Sequence, residues 1–124
     1  MSFINLKGKV KTGKKVGRKI GFPTINIDVP RAVKNGQWGI YFSLVKVDGR
    51  IYPGVTHLGP PKTFHLIRPT CETHLLTFHQ DLYDQAVEIK LILKFREVEH
   101  YPTINALKKQ LRQDVKNARK FFGL

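Results

Sequence analysis

The sequence predicts a small β-barrel with one helix packed against its outer surface. Segments rich in β-branched and aromatic residues fill the middle of the chain, and the spacing of apolar residues becomes helical only after Pro102. Antiparallel strands leave hydrogen-bonding edges exposed unless the sheet closes, so a closed or nearly closed barrel is expected. With 124 residues, 41% of them apolar, the chain can form one core and is expected to be one domain over residues 1–124.

A β-hairpin is the first element that the pattern indicates. Residues 40–47 (IYFSLVKV) and residues 50–55 (RIYPGV) have the composition of two strands. Asp48 and Gly49 separate them, and both residue types tolerate the positive φ that a two-residue hairpin turn needs. The two strands are therefore expected to pair directly.

Two more strands are predicted in the second half of the chain. Residues 74–78 (HLLTF) form a short apolar run that is typical of a buried strand. Residues 86–96 alternate between apolar and polar side chains, which indicates a strand with one buried and one solvated face. The predicted buried face consists of Val87, Ile89, Leu91, Leu93 and Phe95, and the predicted solvated face of Glu88, Lys90, Lys94 and Arg96.

An amphipathic helix is the last predicted element. Thr103 is suited to its N-cap and Gly123 to its C-terminal end, because Thr accepts backbone hydrogen bonds and Gly adopts a left-handed conformation. Apolar residues between them recur at helical spacing and form one stripe, so the helix is expected to dock on a single surface. The stripe consists of Ile104, Leu107, Leu111, Val115, Ala118 and Phe122.

The charge of the chain is strongly positive. It has 22 Lys and Arg residues against 9 acidic residues, which gives a net charge of +13 with neutral His. The basic residues concentrate in residues 1–19 and 108–120. Such a charge attracts polyanions, whether nucleic acid, nucleotide or a membrane surface, without selecting one of them. For residues 108–120, a solvated surface is the preferred interpretation.

Nothing in the sequence directs the chain to a membrane or out of the cell. It contains no apolar run of roughly 18 residues that could span a bilayer, and residues 1–15 lack the apolar core of a secretory signal. The single Cys71 cannot form an internal disulfide. We therefore expect a cytoplasmic, monomeric protein that does not bind membranes.

Residues 8–15 partly match a P-loop, the phosphate-binding motif G-x-x-x-x-G-K-S/T. Lys15 stands where the motif needs a Ser or Thr hydroxyl to bind Mg²⁺. A P-loop also opens an apolar helix, whereas this segment continues through Gly17 and Arg18 to Pro23. We therefore reject an ordinary P-loop and predict a cationic loop that cradles phosphates through lysines and backbone N–H groups.

Three other polar residues are candidates for chemistry. Thr24 and Asn26 are two residues apart, so in an extended strand both side chains point to one face and offer the oxygen ligands that Mg²⁺ accepts. Glu72 precedes an apolar strand and is a candidate general base at the rim of the barrel. From spacing alone, an incidental polar position is the simpler interpretation of each. The histidines at positions 57, 65, 74, 79 and 100 lack metal-ligand spacing and are interpreted as structural or surface residues.

Taken together and in order, these motifs resemble the riboflavin kinase family. The resemblance begins with G-x-V-x-x-G-x-x-x-G-R-x-x-G-F-P-T-x-N over residues 8–26 and continues with E-T-H-L-L at residues 72–76 and D-L-Y at residues 81–83. It covers residues 8–119, and the G-F-P-T-x-N and E-T-H-L-L elements are its most specific parts. The resemblance implies a six-stranded antiparallel Greek-key barrel with a C-terminal helix, in agreement with the fold predicted above.

The resemblance also implies an activity. A riboflavin kinase transfers the γ-phosphate of ATP to the 5′-hydroxyl of riboflavin and gives FMN and ADP, with ATP as co-substrate and Mg²⁺ as cofactor. Carried over to this chain, Thr24 and Asn26 would hold Mg²⁺ and the phosphates, and Glu72 would take the proton from the hydroxyl. Arg96 and Tyr83 would lie on the flavin side. The loop that would close over the ATP phosphates contains Gly13, Lys14, Lys15, Gly17 and Arg18.

The chain departs from the family pattern at two places on the expected flavin side. Lys62 stands where the family has a proline, and Asp84 where it has a glycine that readily adopts positive φ. Both departures bear on flavin binding rather than on ATP binding. A nucleotidyltransferase domain precedes the kinase domain in many bacterial relatives, and its absence from this sequence predicts FMN synthesis without FAD synthesis.

A second hypothesis belongs to a different class, a flavin-responsive regulatory or RNA-binding protein built on the riboflavin kinase fold. The +13 charge and the two altered loops favour it, because basic side chains bind the phosphates of RNA. Against it, we identify no aromatic platform on which bases could stack. The retained Glu72 favours the kinase.

Overall fold

The computed structural model describes residues 3–11, 21–60, 68–78 and 82–124. These residues form one sheet of six antiparallel strands and a C-terminal helix. The strands are β1 (Ile4–Lys9), β2 (Ile25–Ile27), β3 (Gly39–Val47), β4 (Arg50–Gly59), β5 (Thr70–Leu75) and β6 (Ala86–Arg96), and the helix is α1 (Ile104–Phe122). A single turn of 3-10 helix, Asn35–Gln37, precedes β3.

The strand order is that of a curled Greek key. Along the sheet the strands follow the order β1-β6-β3-β4-β5-β2, so β3, β4 and β5 pair consecutively and β6 returns to lie beside β3. The two edges of the sheet meet where Lys11 pairs with Asn26 in an isolated bridge, in which the Lys11 N–H donates to the Asn26 carbonyl at 2.7 Å. The described residues therefore confirm the predicted barrel, closed at this seam by one bridge.

The predicted hairpin is confirmed by β3 and β4. Its turn consists of Asp48, with a φ of 51°, and Gly49, with a φ of 74°. Two successive positive φ values give a mirror-image turn, whose twist matches that of the flanking strands. Beyond the turn, β4 continues to Gly59, further than the sequence indicated.

Two predictions about the later strands were partly wrong. The strand expected at residues 74–78 is β5, which begins at Thr70 and ends at Leu75. The bounds of β6 are as predicted, but its pairing with β3 shifts at Ile92 and again at Phe95. Because each extra residue turns the following side chains to the other face, Leu93 is 48% exposed instead of buried. The two shifts cancel at Arg96, which returns to the face of Glu88 and Lys90, but its side chain is only 17% exposed there instead of solvated.

Both predicted ends of α1 are confirmed. The Thr103 hydroxyl accepts a hydrogen bond from the Ala106 N–H at 3.1 Å, and Gly123 ends the helix with a φ of 72°. Leu107 and Ala118 of the predicted stripe are buried, whereas Ile104 is exposed. Within the described ranges, no helix has both the length and the apolar character needed to cross a membrane.

The apolar residues form two separate cores on the two faces of the sheet. The inner cluster fills the barrel and includes Leu6, Val45, Leu58, Ile89 and Leu91. The outer cluster lies where α1 covers the sheet, and it joins Ile40, Phe42, Val55 and Leu76 to Ala118 of the helix. The helix therefore packs outside the barrel, as predicted.

Candidate active site

A single row of cross-strand neighbours crosses five strands on the outer face of the sheet. Asn26 in β2 lies opposite Glu72 in β5, and Glu72 lies opposite His57 in β4. The row continues from His57 to Ile40 in β3, and from Ile40 to Arg96 in β6. Directly opposed residues of antiparallel strands point to the same face, so the register brings together side chains that are far apart in sequence.

A pocket lies between this row and α1. Three of the predicted site residues, Thr24, Glu72 and Arg96, line it. The sheet also contributes Ile40, Val55, His57 and His74, and the helix contributes Leu111, Asp114 and Val115. The pocket therefore has an apolar wall and a polar end.

Thr24 and Asn26 are positioned by the burial of their neighbours. Ile25 and Ile27 point into the barrel and are buried, so the alternating Thr24 and Asn26 turn outward and are half-buried. The backbone before Thr24 is held by His74, whose Nδ1 lies 2.7 Å from the Pro23 carbonyl oxygen. Because a carbonyl only accepts, this Nδ1 carries the proton and donates it.

Glu72 is half-buried in the middle of β5, where a hydroxyl and an imidazole surround it. The Thr70 hydroxyl lies 3.3 Å from Glu72 Oε2 and 3.2 Å from His57 Nδ1. His57 is only 5% exposed. The predicted general base is therefore on the pocket wall, and its carboxylate has a hydroxyl donor within reach.

Arg96 is fixed by a two-pronged ion pair with α1. Its Nε and Nη2 donate to the two carboxylate oxygens of Asp114 at 2.9 and 2.6 Å, and Gln110 Nε2 donates to the same carboxylate at 2.9 Å. Burial alone would lower the pKa of Arg96, but the hydrogen bonds and charge of Asp114 more than offset this effect and raise it. Arg96 therefore stays protonated and paired with Asp114, which also lines the pocket, and this pair ties α1 to β6.

Tyr83 lies apart from the pocket, on the turn before β6. This turn is closed by a hydrogen bond from the Gln85 N–H to the Leu82 carbonyl at 3.0 Å. A second hydrogen bond, from the Asp84 N–H to the Val10 carbonyl at 2.9 Å, attaches the turn to the segment after β1. Asp84 has a φ of 65°, so the position requires the left-handed conformation that a glycine would adopt readily. The structure therefore confirms that this position, where the family has a glycine, needs a positive φ.

The loop residues predicted to cover the ATP phosphates lie outside the described residues. They are Gly13, Lys14, Lys15, Gly17 and Arg18, and Lys62 also lies outside. Among the residues that the structure does describe, no group of three or more His, Cys, Asp or Glu side chains could hold a metal ion.

Two pocket residues were missed by sequence reasoning. His57 was interpreted as a structural or surface histidine, and only the register of β4 against β5 reveals its place beside Glu72. Asp114 was assigned no role, although a signal was present. It follows Leu111 by three residues and precedes Ala118 by four, so it is an acid inside the apolar stripe. A buried acid in such a stripe needs a cationic partner, which Arg96 provides.

Comparison with known proteins relates the chain to one family. The family model described as Flavokinase, riboflavin kinase, matches residues 2–122. The bifunctional riboflavin kinase/FMN adenylyltransferase of Haemophilus influenzae is 39% identical over 117 residues, which are 94% of this chain and 38% of that protein. The RNA-binding riboflavin kinase RibR of Bacillus subtilis is 33% identical over 121 residues, 96% of this chain and 51% of that protein. The chain thus spans about half or less of the length of these relatives.

Two solved structures share the fold. A protein from Streptococcus pneumoniae described as a macrolide-efflux protein superposes with a TM-score of 0.81 at 24% identity, over 95% of this chain and 39% of that one. Riboflavin kinase from Trypanosoma brucei superposes with a TM-score of 0.65 at 22% identity, over 99% of this chain and 82% of that one. At these identities the likeness is one of fold alone.

Proposed function

The chain belongs to the riboflavin kinase family, and from this premise we propose that it transfers the γ-phosphate of ATP to the 5′-hydroxyl of riboflavin, giving FMN and ADP. The observation that supports the proposal is the cross-strand row on the outer face. In that row a carboxylate, Glu72, is directly opposite Asn26, and Thr24 lines the same pocket. A proton acceptor and two neutral oxygen ligands therefore share one site.

In this proposal Glu72 is the general base. The 5′-hydroxyl oxygen attacks the γ-phosphorus, and its proton passes to the Glu72 carboxylate. The bond between the γ-phosphorus and the bridging oxygen breaks, and ADP leaves with that oxygen. Phosphoryl transfer mainly requires positioning and charge neutralisation, so one base and a set of cations are sufficient protein machinery.

Thr24 and Asn26 are proposed to hold Mg²⁺ together with the nucleotide phosphates. Their hydroxyl and amide oxygens are hard ligands of the kind that Mg²⁺ accepts, and they are half-buried, which leaves coordination positions for water and phosphate. When bound, the ion would neutralise charge on the phosphates. The loop from Gly13 to Arg18, with its lysines, is proposed to cover the phosphates from the other side.

The apolar wall of the pocket is proposed to receive the flavin ring. Ile40, Val55, Leu111 and Val115 give a surface suited to a flat aromatic ligand, and the charged Arg96 lies at its edge. Asp114 holds Arg96 in place, so Arg96 can direct a polar edge of the ring. Tyr83 does not line this pocket, and its flavin contact stays a prediction.

The test is chromatography of a reaction that contains the protein, riboflavin, ATP and Mg²⁺. We expect FMN and ADP in proportion to enzyme, and a loss of turnover on the order of a hundredfold or more in Glu72→Gln with little change in flavin binding. Glu88→Gln, which removes an exposed carboxylate of β6, is the matched control and should keep full activity. No FMN from the unaltered protein would overturn the activity, whereas unchanged turnover in Glu72→Gln would remove only the base.

We propose RNA binding as a second function, on the observation that α1 carries a basic stripe next to an exposed aromatic ring. Residues spaced by three and four lie on one side of a helix, and Lys109, Arg112, Lys116, Arg119 and Lys120 share the exposed side. Phe121 is 45% exposed and stacks on Phe42 at 4.5 Å. Phe121 is therefore one exposed ring beside the basic stripe on which a base could stack. The relative RibR, which is described as RNA-binding, also supports this function.

Filter binding to a mixed-sequence single-stranded RNA tests the second function. Affinity should fall steeply between about 50 and 200 mM salt, because bound phosphates release counterions. The double variant Lys116→Glu/Lys120→Glu should weaken binding, whereas Lys46→Glu, on the exposed side of β3, should not. An absence of RNA affinity even at low salt would dismiss this function and leave the kinase proposal intact.

A further inference from the structure

Three polar side chains on the outer face lie in one hydrogen-bonded line. Thr70 begins β5, and its hydroxyl oxygen is 3.2 Å from His57 Nδ1 and 3.3 Å from Glu72 Oε2. His57 comes from β4, where it is directly opposite Glu72 and almost fully buried. The line therefore connects an internal strand of the sheet to the candidate base.

The protons that these groups carry determine which of them donates and which accepts each hydrogen bond. An ionised carboxylate only accepts hydrogen bonds, so the contact with Glu72 uses the single proton of the Thr70 hydroxyl. The hydroxyl oxygen then has only lone pairs to offer to His57. Nδ1 of His57 must therefore carry a proton and donate it to Thr70.

We propose that His57 and Thr70 are positioning residues that aim the Glu72 carboxylate at the substrate hydroxyl, through the directed chain from His57 Nδ1–H to the Thr70 hydroxyl and from this hydroxyl to Glu72 Oε2. This proposal rests on the proposed function of Glu72 as the base. A glutamate has three side-chain torsions, and a carboxylate misplaced by about 1 Å loses much of its effect in a transfer that depends on alignment. Fixing one oxygen from a buried strand removes that freedom.

The proposed chain of hydrogen bonds can be broken by substitutions that leave the sheet intact. Thr70 is half-buried at the end of β5, opposite Gly59 at the end of β4. Thr70→Val preserves the shape of the side chain and replaces its hydroxyl with a methyl group, whereas Thr70→Ser keeps the hydroxyl and loses the methyl group. His57→Asn places an amide N–H close to the position of Nδ1, whereas His57→Leu has no donor.

The first experiment measures kcat and KM for FMN formation in these four variants. Thr70→Val should lower kcat by roughly tenfold with a nearly unchanged riboflavin KM, because a hydrogen bond to a charged group is lost while the pocket keeps its shape. Thr70→Ser should return kcat to near that of the unaltered protein. His57→Leu should lower kcat by a few-fold, and His57→Asn should recover most of that loss.

The second experiment does not depend on turnover. Two-bond ¹H–¹⁵N correlation spectra of the histidine rings report which nitrogen carries the proton, and we expect His57 to be protonated at Nδ1. A proton found only on Nε2 would overturn the proposed direction of the chain, even if Thr70→Val failed to fold.

The outcomes separate the two proposals. If Glu72→Gln abolishes turnover but Thr70→Val and His57→Leu keep the kcat of the unaltered protein, the positioning role is wrong and the kinase proposal stands. Equal losses in Thr70→Val and Thr70→Ser would also overturn it, since Thr70→Ser keeps the hydroxyl that Thr70→Val lacks. An unaltered protein that makes no FMN would overturn both.

Discussion

Two faces of the same strand carry opposite chemistry in this protein. In β5, the side chains of Cys71, Thr73 and Leu75 point into the barrel and are buried. The alternate residues, Glu72 and His74, face the helix and line the pocket. One residue step therefore separates a sealed interior from a candidate active site, because successive side chains of a strand alternate between its faces.

The difference lies in how each face satisfies its polar groups. Inside the barrel, the Thr56 hydroxyl donates to Ser43 at 2.8 Å and accepts from Thr73 at 2.7 Å, so buried hydroxyls satisfy one another within the sheet. On the outer face, Arg96 reaches across to Asp114 of the helix. The inner face is thus complete without α1, whereas the outer face depends on α1 for its pocket.

The largest expected difference between the two faces concerns Cys71, which precedes Glu72 in β5 and points into the barrel. Burial raises the pKa of Cys71 to about 12, and the charge of Glu72 adds to the rise. A raised pKa reduces the thiolate fraction at neutral pH, so a thiol reagent should react on the order of a thousandfold more slowly with the folded protein than with the unfolded chain. Labelling followed by mass spectrometry with and without urea measures this ratio. Equally fast labelling would show that the inner face is open.

Asp114→Ala should have the next largest effect, because it removes the contact on which the outer face depends. It leaves the charge of Arg96, whose side chain is only 17% exposed, without its carboxylate partner, and breaking such a pair costs about 4 kcal/mol. Urea unfolding measures the loss of stability. Gln113→Ala, on the exposed side of α1, is the control and should change stability little. A loss below about 1 kcal/mol would mean that the helix is held by its apolar stripe alone.

Ile89→Ala tests the inner face by itself. Ile89 is buried among the inner cluster and does not line the pocket, so the substitution should lower stability by about 3 kcal/mol while the folded fraction forms FMN at the unaltered rate. Ile51→Ala, at an exposed residue of β4, should cost less than about 0.5 kcal/mol. A reduced rate per folded molecule in Ile89→Ala would contradict the separation of the two faces.

Asp84→Gly should have the smallest effect and touches neither face. Asp84 holds a positive φ of 65°, which a glycine adopts without a clash, so stability should rise by about 0.5 to 1 kcal/mol. Asp84→Ala, which lacks a polar group for local hydrogen bonds, should lower stability. Thermal unfolding of the three proteins ranks them, and a Gly variant less stable than the Ala variant would contradict the backbone explanation.

Most of the fold could be predicted from the sequence because its signals are local. The Thr103 cap, the Gly123 end and the Asp48-Gly49 turn are each determined by a few neighbouring residues. The face of Leu93 could not be predicted, because the register shifts at Ile92 and Phe95 arise from pairing with β3. A period of two is reliable only until a bulge interrupts it.

The candidate site was predictable only in part, for a related reason. Thr24, Asn26 and Glu72 stood out through the family resemblance, and the roles assigned to them stay predictions. His57 lacked any sequence signal, since its place depends on the register between β4 and β5. The partner of Arg96 could be found only once the helix was docked, although Asp114 was anomalous in its stripe from the start.

The strand order has a consequence for the newly made chain. The two N-terminal strands are the outermost of the sheet, since β1 pairs with β6 and β2 pairs with β5. At ordinary rates of synthesis, β1 leaves the ribosome roughly 4 to 17 s before β6 is complete, and its backbone groups have no partner strand in that interval. The hairpin of β3 and β4 pairs neighbours in sequence and can form first. Asn26 can pair with Glu72 only once β5 has been made, so the two strands that carry the candidate site are joined after the hairpin has had time to form.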